Sequence, residues 1–317
     1  MTNAPTYSII IPHFNIPNLL MRCLDSIPVR DDVQVIVVDD NSPDADSYLD
    51  RYPSLSRPYL EFIRTTQSGG AGYARNVGLE HAKGQWLVFA DADDLFVNDF
   101  SSILDNFHSD EPTDIVFFRH INTLSDDISR YSTEHDYLDN LILLYLQTSD
   151  DTNIRCMHQV PWGKFIRRSL ITRCSLRFDE TPYANDICFS TASGCHANSI
   201  QVQNTFLYIH TQRDNSLSDN FAMKPGELEI RSEACFRAQR IIFESGRSYI
   251  GRNPISYFLS LLYHRNRPFY NLLFRRLPQA GLSPWMILRQ TGGWEERYSS
   301  KIKVYLHSIP LFFKLLR

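Results

Sequence analysis

Two groups of aspartates each follow directly on an apolar run, and their side chains could bind a metal ion. Asp39-Asp40 follows Val35–Val38, and the cluster Asp91-Ala92-Asp93-Asp94 follows Leu87–Ala90. Several carboxylates in one small site repel each other unless a cation lies among them. A hard divalent ion takes oxygen ligands, often one or two carboxylates together with substrate phosphates. The cluster therefore predicts a Mg²⁺ or Mn²⁺ site at Asp91, Asp93 and Asp94.

A glycine-rich loop, Gly69-Gly70-Ala71-Gly72, lies between these groups and opens a helical stretch that Gly84 ends. The backbone N–H groups at the start of such a helix suit a phosphate. An acidic turn alone is only a weak indication of a ligand, since Asp is common in turns and at helix N-caps. The joint position of the loop and the carboxylates favours a nucleoside diphosphate with a metal ion as the ligand.

Short apolar runs alternate with helical stretches over the first 120 residues. The helical stretches are Asn18–Ile27, with apolar residues on one face, and the segment from Gly69 to Lys83. This alternation predicts an α/β fold with a mostly parallel, doubly wound sheet, flanked by helices, that binds ligands at the carboxyl ends of its strands. Both aspartate groups would then face one ligand. The predicted strands are Tyr7–Ile11, Val33–Val38, Leu60–Arg64, Trp86–Ala90 and Ile115–Phe118.

The alternation loosens after about residue 120, and helices dominate from Pro225 onward. We therefore expect an α/β domain at residues 1–220 and a helical C-terminal region at residues 221–317. The predicted elements of this part are a helix at Leu138–Leu146, two short strands at Ser199–Gln203 and Phe206–His210, and N-cap and N1 helix starts at Asn253-Pro254 and Ser283-Pro284.

The composition indicates a folded protein and gives no sign of nucleic acid as a partner. Of 317 residues, 43% are hydrophobic and 21% are charged, and the formal net charge is −4. The six cysteines form no CxxC pair and no zinc-type spacing with histidine, which indicates small apolar residues in a reducing compartment. Residues 1–7 do not resemble a secretory signal, and no apolar run approaches the ~20 residues of a membrane span. We therefore expect a cytoplasmic protein.

The segment Lys301–Arg317 combines four cations with many apolar and aromatic residues, and Pro310 interrupts it. A basic, aromatic-rich segment can lie in a membrane interface beside anionic lipid. It can equally pack on the protein as a last helix, and the sequence leaves both possibilities open. Contact through residues 300–317 would place the protein peripherally on the inner face of a membrane and would suit a lipid-linked acceptor.

Four motifs, in order and at matching spacing over about residues 7–95, resemble the family 2 glycosyltransferases of the GT-A fold. Weaker matches continue to about residue 218, and the last hundred residues are not covered. The resemblance implies a nucleotide-sugar donor, a divalent metal ion and a saccharide or lipid-linked saccharide acceptor. The motifs are Ser8-Ile9-Ile10-Ile11-Pro12-His13-Phe14-Asn15, Val37-Val38-Asp39-Asp40-Asn41-Ser42-Pro43-Asp44, Gly70-Ala71-Gly72-Tyr73-Ala74-Arg75-Asn76-Val77-Gly78-Leu79 and Phe89-Ala90-Asp91-Ala92-Asp93-Asp94.

The resemblance implies roles for the matching positions on the donor side. Phe14, where the family usually has tyrosine, would lie near the nucleobase, and Asp40 would accept the N3–H of uracil if the donor is a UDP-sugar. Asp91 would contact the ribose or its neighbourhood, Asp93 would bind the metal ion at the diphosphate, and Asp94 would assist either of them. The implied donor-binding residues are Pro12, Phe14, Asn15, Asp40, Gly70, Arg75, Asn76, Asp91, Ala92, Arg213 and Ser216.

Inverting transfer also needs a carboxylate that takes the proton from the acceptor hydroxyl. In the family this group is the aspartate of a Glu-Asp pair, and here Asn185-Asp186 fits that place, with Asn185 replacing the glutamate. Asp186 is therefore the candidate general base, and the alternative is a helix N-cap. The resemblance places Trp162, in a Trp-Gly-Lys segment, and Asn185 on the acceptor side, although Trp162 could instead be a core aromatic residue.

The resulting hypothesis is an inverting glycosyltransferase. No Gln-x-x-Arg-Trp segment of the processive family members occurs, which favours transfer of a single sugar per binding event. One alternative is a catalytically inactive nucleotide-sugar-binding member, against which the intact Asp93 and Asp186 argue. Another is a sugar-1-phosphate nucleotidyltransferase, which Pro12-His13-Phe14-Asn15 disfavours because a glycine-rich loop should occupy that place.

Overall fold

The apolar runs of the sequence form one curled sheet that has eight strands in the described part of the chain. The computed structural model describes residues 4–108, 112–132, 135–213, 225–246 and 266–278, with residues 255, 259 and 262. The strands are β1 Tyr7–His13, β2 Val33–Asp39, β3 Leu60–Arg64, β4 Trp86–Phe89, β5 Leu95–Phe96, β6 Ile115–Leu124, β7 Lys164–Arg167 and β8 Ile200–Gln212.

The sheet has the order β3-β2-β1-β4-β7-β6-β8-β5. Strands β3, β2, β1 and β4 run parallel to one another, and β6 runs parallel to β8. Strand β7 is antiparallel to both β4 and β6, and β5 is antiparallel to β8. The predicted parallel sheet is therefore confirmed at β1–β4, and antiparallel strands extend it.

Helices cover both faces of the sheet. Because side chains alternate along a strand, Ile9 and Ile11 pack in one core with α1, and Ile10 packs in the other core with α3. The helices are α1 Pro17–Asp25, α2 Tyr48–Arg51, α3 Gly70–His81, α4 Phe100–Asp105, α5 Asp136–Thr148, α6 Thr152–Met157, α7 Arg168–Arg173, α8 Ile187–His196, α9 Pro225–Glu244 and α10 Arg267–Arg276.

The structure differs from the sequence prediction in the second half of the sheet. The two short strands predicted between 199 and 210 are one long strand, β8, because β6 continues to Leu124 and pairs with β8 along its length. The polar residues between the two predicted strands are accommodated by a shift in the pairing register of β6 and β8 at Phe118–His120. Strand β7 was not predicted, because Lys164 and Arg167 break its apolar pattern.

The C-terminal helices pack against the α/β part of the chain. Leu228 and Phe236 of α9 join a third core with Phe269 and Leu273 of α10, and Ile187 of α8 packs against it. The described residues contain no helix that is long and apolar enough to span a membrane. The expected boundary at residue 220, the helix starts at 253–254 and 283–284, and the segment 300–317 lie outside the described residues.

A buried carboxylate joins the carboxyl ends of β1 and β2. Asp39 Oδ2 accepts hydrogen bonds from His13 Nδ1 at 2.8 Å and from Ser42 Oγ at 2.6 Å, and Oδ1 accepts from the Ser42 N–H at 2.8 Å. Nδ1 of His13 carries the proton, since Nε2 accepts from the Ile16 N–H. Burial alone raises the pKa of Asp39, but the hydrogen bonds from His13 and Ser42 outweigh it and lower the pKa. This network fixes the backbone on which Asp40 stands.

We expect Asp39→Asn to lower the free energy of unfolding by about 1–3 kcal/mol, because buried donors lose a charged acceptor. A lowered pKa means that the carboxylate stabilises the fold at neutral pH, and that this stabilisation is lost as the pH falls through the carboxyl range. Urea unfolding at pH 7 measures the change. The control is Asp46→Asn, whose carboxylate is 86% exposed and pairs with Arg64, so about 0–1 kcal/mol is expected. Equal losses in the two variants would contradict the role of Asp39.

Candidate active site

Asp40 fastens the glycine-rich loop to the end of β2. Its buried carboxylate accepts hydrogen bonds from the N–H of Gly69 and the N–H of Gly70, each at 2.8 Å, and from Ser68 Oγ at 2.8 Å. Gly70 has φ +81°, a left-handed conformation that favours glycine. Asp40 therefore orients the start of α3 through its hydrogen bonds to the loop. A nucleobase N–H that donated to Asp40 would share a carboxylate that already accepts from this loop.

The segment after β1 lies beside Asp40, whose N–H donates to the carbonyl oxygen of His13 at 2.8 Å. Pro12 is buried in β1, whereas the Phe14 side chain is 53% exposed at the edge of the sheet. Asn15 has φ 54°, and its N–H donates to Ser42 Oγ. An exposed aromatic ring next to a buried carboxylate is an arrangement that can accept a base by stacking.

The acidic cluster after β4 is tied to β8. Both oxygens of the buried Asp94 are used, since Oδ2 accepts from Tyr208 Oη at 2.8 Å and Oδ1 accepts from the Thr211 N–H at 2.7 Å. The same Tyr208 hydroxyl accepts from the Asp91 N–H at 2.8 Å. Burial, and then the neighbouring Asp93 and Asp91, raise the pKa of Asp94 well above its usual range. In this arrangement Asp94 positions the loop, and Ala92 is buried within it.

Asp91 and Asp93 present their side chains toward cations. Asp91 Oδ1 accepts from Arg75 Nη2 at 2.6 Å, and Asp93 Oδ2 lies 2.8 Å from Arg213 Nε. Burial and the repulsion from Asp91 raise the pKa of Asp93, and Arg213 opposes that rise. Asp91 therefore disfavours the charged form of Asp93, and positive charge close to Asp93 is favourable.

Two carboxylates of this kind fit a hard divalent ion that completes its coordination with substrate phosphates. No group of three or more His, Cys, Asp or Glu side chains that could hold a metal ion is found in the described ranges. Of the three carboxylates, those of Asp91 and Asp93 would be the ones to hold such an ion, since both oxygens of Asp94 accept hydrogen bonds from β8.

Arg75 of α3 links the acidic cluster to the segment that carries the candidate base. Its buried guanidinium donates from Nη2 to Asp91, and from Nη1 to Asn185 Oδ1 at 2.8 Å. The guanidinium carbon lies 5.3 Å from the ring centre of Phe178. Arg75 is therefore not a solvated cation on the surface of α3.

Two further residues of α3 hold the segment 178–185 in place. Asn76 is buried, and its Nδ2 donates to the Phe178 carbonyl oxygen and to Glu180 Oε1, both at 3.0 Å, while its Oδ1 accepts from the Phe178 N–H at 2.9 Å. A Cβ atom on Gly72 would lie 2.0 Å from the Asp179 carbonyl oxygen, so only glycine permits this approach. Asn76, predicted to line the donor pocket, instead uses its amide to position this segment.

Asp186 occupies the N-cap position of α8, yet its side chain makes no capping hydrogen bond. Burial raises the pKa of Asp186, and the positive charge of Arg75 partly opposes this effect. Asp91 raises the pKa further, and Arg231 of α9 lowers it. The carboxylate thus makes no capping hydrogen bond to the helix and has a higher pKa than an ordinary aspartate, and both properties suit proton abstraction.

The remaining predicted residues are distributed between core and surface. Trp162 is only 3% exposed, with its ring stacked on Tyr208 at 5.1 Å and on His210 at 5.4 Å between ring centres. This burial favours the core alternative for Trp162 over a wall of the acceptor pocket. Arg213 lies beside the acidic cluster, with its Nε 2.8 Å from Asp93 Oδ2, whereas Ser216 lies outside the described residues.

Comparison with known proteins decides the family. The model of "Glycosyl transferase family 2" matches residues 8–174, more than half of the chain. The chain belongs to glycosyl transferase family 2. This match contains the glycine-rich loop and the acidic cluster, and it ends before Asp186.

Relatives of this family 2 glycosyltransferase occur in Bacillus. EpsJ of Bacillus subtilis, named an uncharacterized glycosyltransferase, is 26% identical over 223 residues, which cover 68% of this chain and 63% of EpsJ. A poly(ribitol-phosphate) beta-glucosyltransferase of Bacillus spizizenii is 34% identical over 114 residues, which cover 34% of this chain and 18% of the relative. In both cases the matched part is less than two thirds of the relative.

A solved structure shares the fold. The crystal structure of Staphylococcus aureus TarS residues 1–349 in complex with UDP-GlcNAc has a TM-score of 0.60 and 18% sequence identity, and covers 98% of this chain and 79% of its own. The expected GT-A architecture of this family 2 member is thereby confirmed. At this identity the likeness concerns the fold.

Several residues of the site carried no recognisable signal in the sequence. Tyr208 belongs to the apolar alternation of β8, and Thr211 resembles any strand residue. Arg22 lies on the side of α1 away from its buried residues, as a surface cation would. Their partners are distant in the sequence, so only the folded chain identifies them.

We expect Asn185→Glu to raise the pKa of Asp186. A carboxylate at 185 would neutralise Arg75, the cation that opposes the rise, and would add a negative charge beside Asp186, and both effects disfavour the ionised base. Carboxyl ¹³C chemical shifts during a pH titration, assigned by loss of the signal in Asp186→Asn, measure the change. Asn185→Gln is the neutral control and should titrate like the wild type. A midpoint that stays in place or falls in Asn185→Glu would contradict the link through Arg75.

Proposed function

We propose that the protein is an inverting, metal-dependent glycosyltransferase that moves a single sugar from a UDP-sugar to a hydroxyl of a glycan or lipid-linked acceptor. The observation that carries the proposal is the Arg75 bridge, which joins Asp91, of a carboxylate pair suited to a divalent metal ion, to the segment of Asp186, whose side chain makes no capping hydrogen bond and whose pKa is raised. Membership of the family and the glycosyltransferases named among its relatives support the same reaction class.

On the donor side, we assign the nucleobase to Phe14 and Asp40 and the ribose to the neighbourhood of Asp91. The exposed ring of Phe14 would stack on the base, while the Asp40 carboxylate, which accepts from the N–H groups of Gly69 and Gly70, would also accept the base N–H. The UDP and UDP-GlcNAc complexes of TarS support a uridine diphosphate donor and make UDP-GlcNAc the first donor to test.

The leaving diphosphate would lie against Asp93 and Arg213. Asp93 and Asp91 would hold Mg²⁺ or Mn²⁺, which when bound supplies positive charge that stabilises the departing diphosphate. Arg213 neutralises Asp93 in the protein alone, and its guanidinium would donate to a phosphate oxygen when the donor arrives. Asp94, held by Tyr208, keeps this loop in place.

On the acceptor side, Asp186 takes the proton from the attacking hydroxyl. The new bond forms between the acceptor oxygen and the anomeric carbon while the bond to the diphosphate breaks, so one displacement inverts the configuration. Asn185 remains beside the base as a neutral residue that orients Arg75. The poly(ribitol-phosphate) named for the Bacillus spizizenii relative supports a cell-surface polymer as the acceptor class.

Asp186→Asn tests the assignment in a transfer assay that screens UDP-, GDP- and dTDP-sugars with and without Mn²⁺. We expect transfer from a UDP-sugar to fall by about 10²–10⁴-fold in this variant, because proton removal by the base is lost. Calorimetry should show UDP binding close to that of the wild type, since Asp186 does not contact the leaving group.

The matched control is Glu180→Gln, which removes a charge from the same segment but keeps the oxygen that accepts from Asn76. It should retain transfer. Normal turnover in Asp186→Asn, or an early product with retained anomeric configuration by NMR, would refute the base and the inverting mechanism.

We further propose that residues 300–317 place the enzyme peripherally on the inner, cytoplasmic face of a membrane, because the sequence there joins Lys301, Lys303, Lys314 and Arg317 to aromatic residues. We expect the full chain to float with vesicles that contain anionic lipid, and a chain ending at residue 299 to remain in the dense fraction. Vesicles of neutral lipid are the control. Equal flotation of both chains would exclude this segment as the anchor.

A further inference from the structure

Arg22 of α1 lies beneath the acidic cluster and joins three separate segments of the chain. Its Nη2 donates to the Asp93 carbonyl oxygen at 2.6 Å and to Thr211 Oγ1 at 3.1 Å, and its Nη1 donates to the Ser125 carbonyl oxygen at 2.8 Å. Asp93 follows β4, Ser125 follows β6, and Thr211 lies at the end of β8. One guanidinium thus holds together the ends of three strands.

The same contacts set the positions of Asp93 and Arg213 relative to each other. Thr211 Oγ1 donates to the Asp93 carbonyl oxygen at 2.6 Å, so Arg22 and Thr211 share this acceptor. Arg213 follows Thr211 by two residues, and its Nε lies 2.8 Å from Asp93 Oδ2. The side-chain ion pair at the diphosphate position therefore rests on a main-chain arrangement that Arg22 completes.

Arg22 also brings a positive charge that no carboxylate cancels directly. Its hydrogen-bond acceptors are carbonyl and hydroxyl oxygens, and within the described part of the chain no carboxylate lies at ion-pair distance from it. A half-buried guanidinium with neutral partners keeps its field, because the surroundings screen it less than water does. That field acts on the loop where we place the leaving diphosphate.

We propose that Arg22 is a positioning residue for the leaving group, fixing the main chain at Asp93 and the end of β8 so that Asp93 and Arg213 meet the diphosphate together. The inference rests on the proposed function, since it assumes a nucleoside diphosphate at Asp93. It adds a residue of α1 that does not touch the donor and acts through Asp93 and Arg213.

The chain offers a matched control in Arg57, which lies outside α1 and contacts the C-terminal end of this helix. Arg57 is also half-buried, and its Nη1 donates to the carbonyl oxygens of Leu24 at 2.7 Å and Ile27 at 3.1 Å. It contacts neither the acidic cluster nor β8 in these bonds. Arg57→Met therefore removes a comparable set of carbonyl contacts from α1 without disturbing Asp93.

The experiment measures UDP binding by calorimetry, with and without Mn²⁺, for the full-length wild type, Arg22→Met and Arg57→Met. We expect the Kd for UDP to rise by about tenfold or more in Arg22→Met, because small displacements of positioned groups are costly. Arg57→Met should keep the wild-type Kd although its thermal midpoint falls. If Arg22→Met does not fold, Arg22→Lys against Arg57→Lys gives the same comparison with a smaller rise.

A double-mutant cycle with Arg213→Ala separates positioning from general stability. If Arg22 acts through Arg213, the two losses in UDP affinity overlap, and the double variant binds UDP more tightly than the product of the single effects implies. Independent effects, or equal Kd values for Arg22→Met and Arg57→Met, would overturn the inference. A wild type that does not bind UDP would instead refute the proposed donor site, and with it the role of Arg22.

Discussion

The two halves of the candidate site depend on one buried guanidinium. Arg75 can remain charged inside the protein only because acceptors surround it, and these come from two segments, Asp91 after β4 and Asn185 before α8. A buried arginine that lost either partner would keep an unsatisfied charge, so the two segments are held in a fixed relation. The distance between the acidic cluster and Asp186 follows from this constraint.

Strand β8 supplies a second constraint, and it explains how so many acids share a small volume. Its Tyr208 and Thr211 donate hydrogen bonds to the buried Asp94. Shortly after them in the chain, Arg213 lies opposite Asp93. Hydrogen bonds therefore stabilise Asp94, the most deeply buried of the three acids, whereas Asp91 and Asp93 pair with arginines.

Local patterns predicted much of the fold, whereas long-range partners could not be predicted. The β-branched runs identified the parallel strands, and the position of Asp91 after β4 followed from that. Strand β7 was not predicted, because its buried Lys164 and Arg167 contact a carbonyl oxygen and a tryptophan ring only in the folded chain. For the same reason, the family resemblance named Asn76 and Trp162 as site residues but did not predict their positions, because these depend on contacts with residues distant in the sequence.

The glycine at position 72 has a consequence for how this enzyme can diverge. Any side chain there would clash with the Asp179 carbonyl oxygen and the Cβ of Asn185, so the backbone of residues 179–185 can lie this close to α3 only when residue 72 is glycine. Other side chains in that segment can change without affecting this approach. The path of the backbone, however, is tied to position 72, so substitutions that alter what reaches Asp186 are made on the same backbone for as long as this glycine is kept.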